Sequence, residues 1–262
     1  MRVFVTGGAG YIGSVCVEEL LRAGHRVFVY DNLSEGHRKA VPKKAEFLEA
    51  ELADKRALRR ALSDFKTDAV LHFAASALVG ESMANPAKYF ENNVGGGLAL
   101  VEAAVSAGVR RLVFSSTCAT YGLPERVPIP EDHPQRPINP YGQSKLMFEQ
   151  ILEWYGRLKG LVHVSLRYFN AAGASEEHGE DHRIETHLIP NVLKVALDQA
   201  PHVEVFGNDY ATPDGTCIRD YIHVLDLADA HIRALSLERP EQINLGTGNG
   251  TSVQQVIDAA RR

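Results

Sequence analysis

The sequence predicts an α/β fold: a doubly wound parallel sheet with a smaller, interleaved region towards the C-terminus. Three observations predict it. Short β-rich runs alternate with helix-like stretches through most of the chain. Those runs are almost continuously apolar, as strands buried on both faces are. The first run also leads directly into a glycine-rich loop and then a helix, the opening of a nucleotide-binding βαβ unit.

The runs are RVFVT near the start, VFVY at 27–30, AVLHF at 69–73, RLVFSS at 111–116 and VSLRYF at 164–169. Between the first two, Val15, Cys16, Leu20 and Ala23 recur at helical spacing, which predicts a helix over 14–23 closed by Gly24. A longer helix starts near 140. Asn139 suits its cap and Pro140 its first turn, Leu146, Phe148, Ile151, Leu152 and Tyr155 face the core, and Gly160 ends it. From about 170 to 216 glycine, histidine, aspartate and proline become frequent, which marks loops and isolated helices.

The 262 residues suffice for a sizeable core, and 45% hydrophobic with 23% charged is ordinary globular composition. A net charge of −5 points away from nucleic acid and anionic membranes. Cys16, Cys118 and Cys217 lack metal or redox spacing and read as reduced thiols. With no signal peptide and no apolar run of spanning length, the expected location is cytoplasmic.

The first strand runs into TGGAGYIGS, with Gly7, Gly10 and Gly13. Glycines there permit a tight turn, close approach of backbone to a pyrophosphate, and close helix–strand packing. The helix N-terminus then meets the anion with free N–H groups. This is a Rossmann-like arrangement, and VFVY ends on Asp31. An acid at that place accepts both ribose hydroxyls of NAD and repels the 2′-phosphate of NADP.

NPYGQSK places Tyr141 and Lys145 four apart on one helix face. A free tyrosine has a pKa of about 10, so only about 0.1% is phenolate at pH 7. Lowering it to about 7 requires roughly 4 kcal/mol. One cation about 4 Å away supplies roughly that at an effective dielectric of about 20. Lys145 and the positive nicotinamide ring share the work in this reading. RLVFSSTCATYG runs off a strand end, where doubly wound sheets bind ligands. It offers Ser116 and Thr117 beside the nicotinamide, Thr117 being placed to relay a sugar hydroxyl proton to Tyr141. Ser115 reads as buried structure and Cys118 as a small core thiol.

With these motifs in place the chain resembles the UDP-glucose 4-epimerases of the extended short-chain dehydrogenase/reductase superfamily. The matching text is TGGAGYIGS, YDNLSEGH, HFAASALVGES, ENNV, SSTCATYG, NPYGQSKLMFEQIL, LRYFNAAGA, VFGNDYATPDGTCIRDYIHVLDLADAH and NLGTG, reaching to about residue 250. The resemblance implies Thr117, Tyr141 and Lys145 as catalytic residues. It implies Tyr11, Ile12, Asp31, Asn32, Phe73, Ala74, Ala75, Asn92 and Phe169 around NAD, together with Ser115 and Ser116. It implies Asn170, Leu188, Phe206 and Arg219 at the UDP-sugar, where a guanidinium suits a diphosphate. The implied reaction removes hydride from sugar C4, lets the 4-keto sugar turn over, and returns hydride to the other face.

Two departures from the family pattern stand out. Where the family has Gly-Asp before an aliphatic residue, this chain has Ala50, then Glu51 and Leu52 for the adenine. The chain also ends at Arg262, inside a helix after which family members continue, so an incomplete substrate-binding region is expected. The expected division is 1–169 plus about 217–245 for the dinucleotide and about 170–216 plus 246–262 for the substrate. A dehydratase would need a carboxyl pair after the threonine, where Cys118 and Ala119 stand. A decarboxylase, a single-sugar reductase or a non-catalytic NAD-binding protein share the remaining motifs. His178, His182 and His187 match no familiar metal spacing and read as a solvated loop, so no metal is expected. Relatives imply a homodimer through the 94–107 and 141–158 stretches, although the small residues of NNVGGGLALVEAAV could equally pack within one chain.

Overall fold

The computed structural model describes residues 1–261. Arg2–Thr6 forms strand β1 and Tyr11–Arg22 helix α1. The helix starts three residues before the apolar periodicity does, because Gly10 serves as its N-cap. At its end Gly24 adopts φ +81°, and the N–H groups of His25 and Gly24 bond the carbonyls of Leu20 and Leu21. That double closure needs a left-handed residue just past the cap, which glycine supplies without strain.

Strands β2 (Arg26–Asp31) and β3 (Glu46–Glu49), helix α2 (Lys55–Asp64) and strand β4 (Ala69–His72) follow. Two short helices, α3 (Val79–Ala84) and α4 (Pro86–Tyr89), lead through a wider helical coil at Phe90–Gly96 into α5 (Gly97–Ser106). Then come β5 (Arg111–Thr117), α6 (Pro140–Lys159) and β6 (Val162–Tyr168). The remainder is β7 (Asn170–Ala172), α7 (Leu188–Ala196), β8 (Ile218–His223), α8 (Val224–Ala234), β9 (Glu241–Leu245), β10 (Gly250–Ser252) and α9 (Val253–Ala260).

Seven strands form one parallel sheet in the order β3-β2-β1-β4-β5-β6-β9. The chain therefore winds outward in one direction from β1 and then in the other from β4. The crevice between those two strands, at their C-terminal ends, is where such sheets bind ligands. A small second sheet joins β7, β8 and β10, and α7 packs on α9 beside it. Strand β8 pairs only within this small sheet, while α8 directly after it returns to lie against α1.

Both faces of the large sheet are covered. On one, Leu58 and Leu62 of α2, Leu100 of α5, and Phe148 and Leu152 of α6 pack on Phe4, Val70 and Leu112. On the other, Val17 and Leu20 of α1 and Ala234 of α8 pack on Val3, Val5 and Val113. The long helix is capped as its sequence demands: the Asn139 side chain accepts from Gly142 N–H at 2.8 Å, and Gly160 closes it at φ +66°. The glycines of the 95–97 run have an internal use. A Cβ at Gly96 would stand 2.9 Å from Leu52, and one at Gly97 would stand 2.7 Å from the Phe148 ring.

Phe148 is completely buried where α6, α5 and the sheet meet. Phe148→Ala should lower unfolding free energy by about 3–5 kcal/mol. Urea denaturation followed by circular dichroism measures this, and a loss under 1 kcal/mol would contradict the packing described.

Candidate active site

The sheet's switch point opens into two adjoining cavities, of about 850 and 300 Å³, that share Gly7, Gly10, Phe73 and Ala75 as walls. The glycine loop shapes their floor. Gly7 sits at φ +73°, and a Cβ there would strike the backbone nitrogen of Ala74. A Cβ at Gly13 would strike the Gly7 carbonyl oxygen. No side chain caps α1, so the N–H groups of its first turn are left for a ligand. Tyr11 and Ile12 line the larger cavity here, and the Tyr11 hydroxyl donates to the Gly173 carbonyl at 2.6 Å. The cradle fits a dinucleotide pyrophosphate.

The smaller cavity lies beside the end of β2. Asp31 stands at its edge on the last residue of β2, with its carboxylate held by Ala9 N–H (3.0 Å) and Leu33 N–H (2.8 Å). Burial raises its pKa, and those two donors oppose the rise. Asn32 reaches across to Glu51 at 2.9 Å, so the pair forms one polar wall beside Leu52. Ala74 and Asn92 close the other side.

In the larger cavity α6 brings Tyr141 and Lys145 to the end of β5. The Lys145 ammonium donates to the Ser115 carbonyl at 2.9 Å and lies 5.9 Å from the centre of the Tyr141 ring. Burial dominates both groups. It pushes the Tyr141 phenol up to about 12, against the nearby Thr117 hydroxyl, with Cys118 adding to the rise. It pushes Lys145 down to about 7, against the attraction of Glu149. The sequence reading has Lys145 and a positive nicotinamide ring share the lowering of the phenol, and burial of both groups works against the lysine's part. Burial thus disfavours the charged form of each group, the ammonium and the phenolate alike.

Strand alternation corrects a second expectation. Successive residues of β5 point to opposite faces. Ser115 lines the cavity and shares a hydrogen bond with the Tyr168 hydroxyl, whereas Ser116 is 1% exposed and donates to Glu149. Ser116 is therefore structural, not a cavity hydroxyl, and Ser115 takes the place expected for it. Thr117 is buried beside Tyr141, and its oxygen also accepts from Ala119 N–H at 3.1 Å. Burial pushes the Cys118 thiol up to about 11, in keeping with an inert thiol.

Asn170, Leu188, Phe169 and Arg219 all line the larger cavity, Asn170 through a bond to the Asp220 carbonyl at 2.9 Å. Arg219 forms no ion pair among the described residues; its guanidinium donates to the Ile218 carbonyl and is otherwise exposed. Phe206 departs from expectation. It lies 83% exposed, outside the cavity, in a stretch with no helix or strand. Two of the histidines depart too. His178 bonds Glu18 at 3.0 Å, and His182 and His187 gather around Glu180 at 3.1 and 2.7 Å; the first two are partly buried, whereas His187 is exposed, as expected of a solvated loop.

The sequence reading missed Glu149. Together with Tyr141 and Lys145 it continues the same four-residue spacing on α6, and it pairs with Arg167 of β6 at 2.7 Å with both side chains 5% exposed. Arg167 also donates to the Tyr121 hydroxyl at 2.9 Å. A charge of each sign inside an otherwise apolar helix face and strand was the available signal.

With this geometry in view, residues 3–246 match the model of the "NAD dependent epimerase/dehydratase family". The chain is 52% identical to a UDP-glucose 4-epimerase of Rhizobium meliloti over 267 residues, covering 100% of itself and 81% of the relative. The chain belongs to the UDP-glucose 4-epimerases of the NAD dependent epimerase/dehydratase family. Among solved structures it resembles the UDP-glucose 4-epimerase from Brucella ovis in complex with NAD, with TM-score 0.96, 48% identity, and coverage of 98% of this chain and 81% of that one. It also resembles the epimerase from Bifidobacterium longum in complex with NAD+ and UDP, with TM-score 0.94, 39% identity, and coverage of 99% and 82%. Membership in this epimerase family fits the cleft, in which the glycine loop borders both cavities, Asp31 lines the smaller and Tyr141 and Lys145 line the larger.

The depressed Lys145 has a consequence for stability. Its value is about 7 folded and about 10.4 unfolded, so between these pH values the unfolded chain holds the extra proton. Stability contributed by this site therefore rises with pH across that window. Lys145→Met should remove this rise, which urea unfolding of both proteins at pH 7 and pH 9.5 measures as a smaller pH difference in the variant. Equal pH differences would contradict the burial described.

Proposed function

We propose that this chain interconverts UDP-glucose and UDP-galactose at C4, using the cleft residues in the following roles. Gly7, Gly10, Gly13, Tyr11 and Ile12 hold the pyrophosphate of NAD. Asp31 accepts from the adenosine ribose, Asn32, Glu51 and Leu52 flank the adenine, and Phe73, Ala74, Ala75, Asn92, Ser115 and Phe169 complete the cofactor wall. Bound NAD supplies a nicotinamide that takes and returns hydride. The observation that carries the reading is the buried Tyr141–Lys145 pair at the cavity end of β5, next to Thr117.

Tyr141 takes the proton of the sugar 4-hydroxyl and later gives it back, with Thr117 holding that hydroxyl in line. Lys145 serves this exchange through charge and position. Its ammonium is fixed by Ser115, so it returns to the same place beside the phenol each cycle. Tyr141 would be lowered further if the positive ring of bound NAD lay beside it, adding to the attraction of Lys145, which burial weakens. Arg219 and Asn170 hold the nucleotide diphosphate end. The sugar must swing between its two faces, and the breadth of the 850 Å³ cavity supports that movement.

Tyr141→Phe should reduce turnover by about 10²–10⁴ while the variant still carries NAD. UDP-galactose given to the purified chain, followed by NMR of the anomeric protons, reads the first part. Cofactor released on denaturation reads the second. An active Tyr141→Phe variant would overturn the proposed roles.

The exposed side of α5 and α6 supports a homodimer in the same reading. Trp154 and Leu158, one turn apart on α6, are 59% and 70% exposed, and Leu98 on adjoining α5 is 37% exposed. Trp154→Asp should halve the mass measured by light scattering, and a monomeric unmodified chain would contradict the dimer. No described helix is long and apolar enough to cross a membrane, and three unpaired cysteines suit the reducing cytoplasm, where we place the reaction.

A further inference from the structure

Lying along one wall of the cleft, the segment 180–187 folds so that four metal-binding side chains converge. Glu180, His182, Glu185 and His187 each offer one ligand atom, and these atoms all lie within 4.8 Å of one another. His187 Nδ1 stands 2.7 Å from Glu180 Oε1 and 3.4 Å from Glu185 Oε1, and His182 Nε2 stands 3.1 Å from Glu180 Oε1. Four ligands at about 2.0–2.1 Å around a tetrahedral ion are about 3.3 Å apart, which falls inside that spread. Small side-chain adjustments would bring the set to that shape.

The charge balance of the segment argues for a cation there. The side chains of Glu180 and Glu185 are 10% and 5% exposed, yet neither pairs with a lysine or arginine among the described residues. The one guanidinium between them in sequence, Arg183, is directed elsewhere, donating to the carbonyls of Ser34 (2.8 Å) and Leu33 (3.0 Å). Desolvated carboxylates are paired or they bind metal. Their other neighbours are two imidazoles, which are themselves metal ligands, and the His187 backbone N–H, which donates to Glu185 Oε1 at 2.7 Å.

We propose that Glu180, His182, Glu185 and His187 form a closed four-ligand site for a zinc-class divalent cation. Two imidazoles with two carboxylates select borderline first-row ions, zinc above all, over magnesium and calcium, which prefer all-oxygen sets. The ion displaces the protons shared between imidazole and carboxylate, so its binding releases them. With four protein ligands it keeps no open position, and its role is structural.

The place of the site gives that role its meaning. The His182 ring meets the Tyr11 ring of the glycine loop edge to face at 6.4 Å, and the His37 ring bonds the Asp181 carbonyl at 3.0 Å. The next residue after His187 is Leu188, the first of α7 and part of the cavity wall. A cation here pins the segment that joins the cofactor loop to the substrate side of the cleft. The proposal stands on the ligand cluster alone and does not depend on the epimerase reading.

The test is metal binding by the purified chain after chelation and desalting. Zinc titration by calorimetry should give one tight site per chain, with magnesium and calcium at least 100-fold weaker. Cobalt in place of zinc should give the intense visible bands of tetrahedral coordination. His182→Ala combined with His187→Ala should weaken zinc at least 100-fold, while His202→Ala, at an exposed histidine outside the cluster, should leave it unchanged. If the double variant fails to fold by circular dichroism, Glu185→Gln, which keeps the side chain's volume, takes its place with the same expected loss. No stoichiometric zinc, an octahedral cobalt spectrum, equal affinity for magnesium, or zinc binding that survives removal of the ligands would each overturn the proposal.

Discussion

The structure turns on one buried contact, the Lys145 ammonium against the Ser115 carbonyl. It ties the longest helix to the C-terminal end of a central strand, at the point where the sheet opens its crevice. The groups around that contact offset part of the cost of burying a cation at the cavity wall. The Phe114 ring lies 4.9 Å from the ammonium, and Glu149, one helical turn further along, attracts it from within the core. Glu149 is itself held by Arg167, Ser116 and Gln135, so the support extends through two strands and the loop before the helix. Such a network is expensive to desolvate and costly to break at any single member.

This arrangement sets the resting state of the chemistry. Burial penalises both charged forms, raising the phenol and lowering the lysine. A base that is weak until its ligand arrives is guarded against idle proton exchange. In the proposed function it also ties the glycine loop and Asp31 to the acid–base chemistry, because they would position the charged ring. In this account binding and proton transfer are one electrostatic problem.

Much of the fold was legible from periodicity and punctuation. The alternating apolar runs, Asn139, Pro140 and Gly160 marked elements whose caps depend on local chemistry alone, and the structure places them accordingly. The Tyr141–Lys145 spacing and the glycine loop were legible for the same reason: each is a contact between near neighbours. What failed to show were relations between distant residues. Which of Ser115 and Ser116 meets the cavity depends on the pleat of β5, and a shift of one residue inverts the answer. Phe206 sits in a stretch with no regular element, where motif position carries no information on direction. The convergence of Glu180, His182, Glu185 and His187 was not legible, because it depends on how a loop bends against the first glycine turn.

The central claim is that burial holds Tyr141 protonated until a positively charged cofactor lies beside it. The direct measurement is a spectrophotometric titration of the phenol, taken as the difference between the unmodified chain and Tyr141→Phe, in NAD-free and NAD-loaded protein. The account expects ionisation near pH 12 without NAD and a fall of several units with it. A Tyr141 that ionises at the same pH in both forms, or that is already phenolate at neutrality without the cofactor, would contradict it.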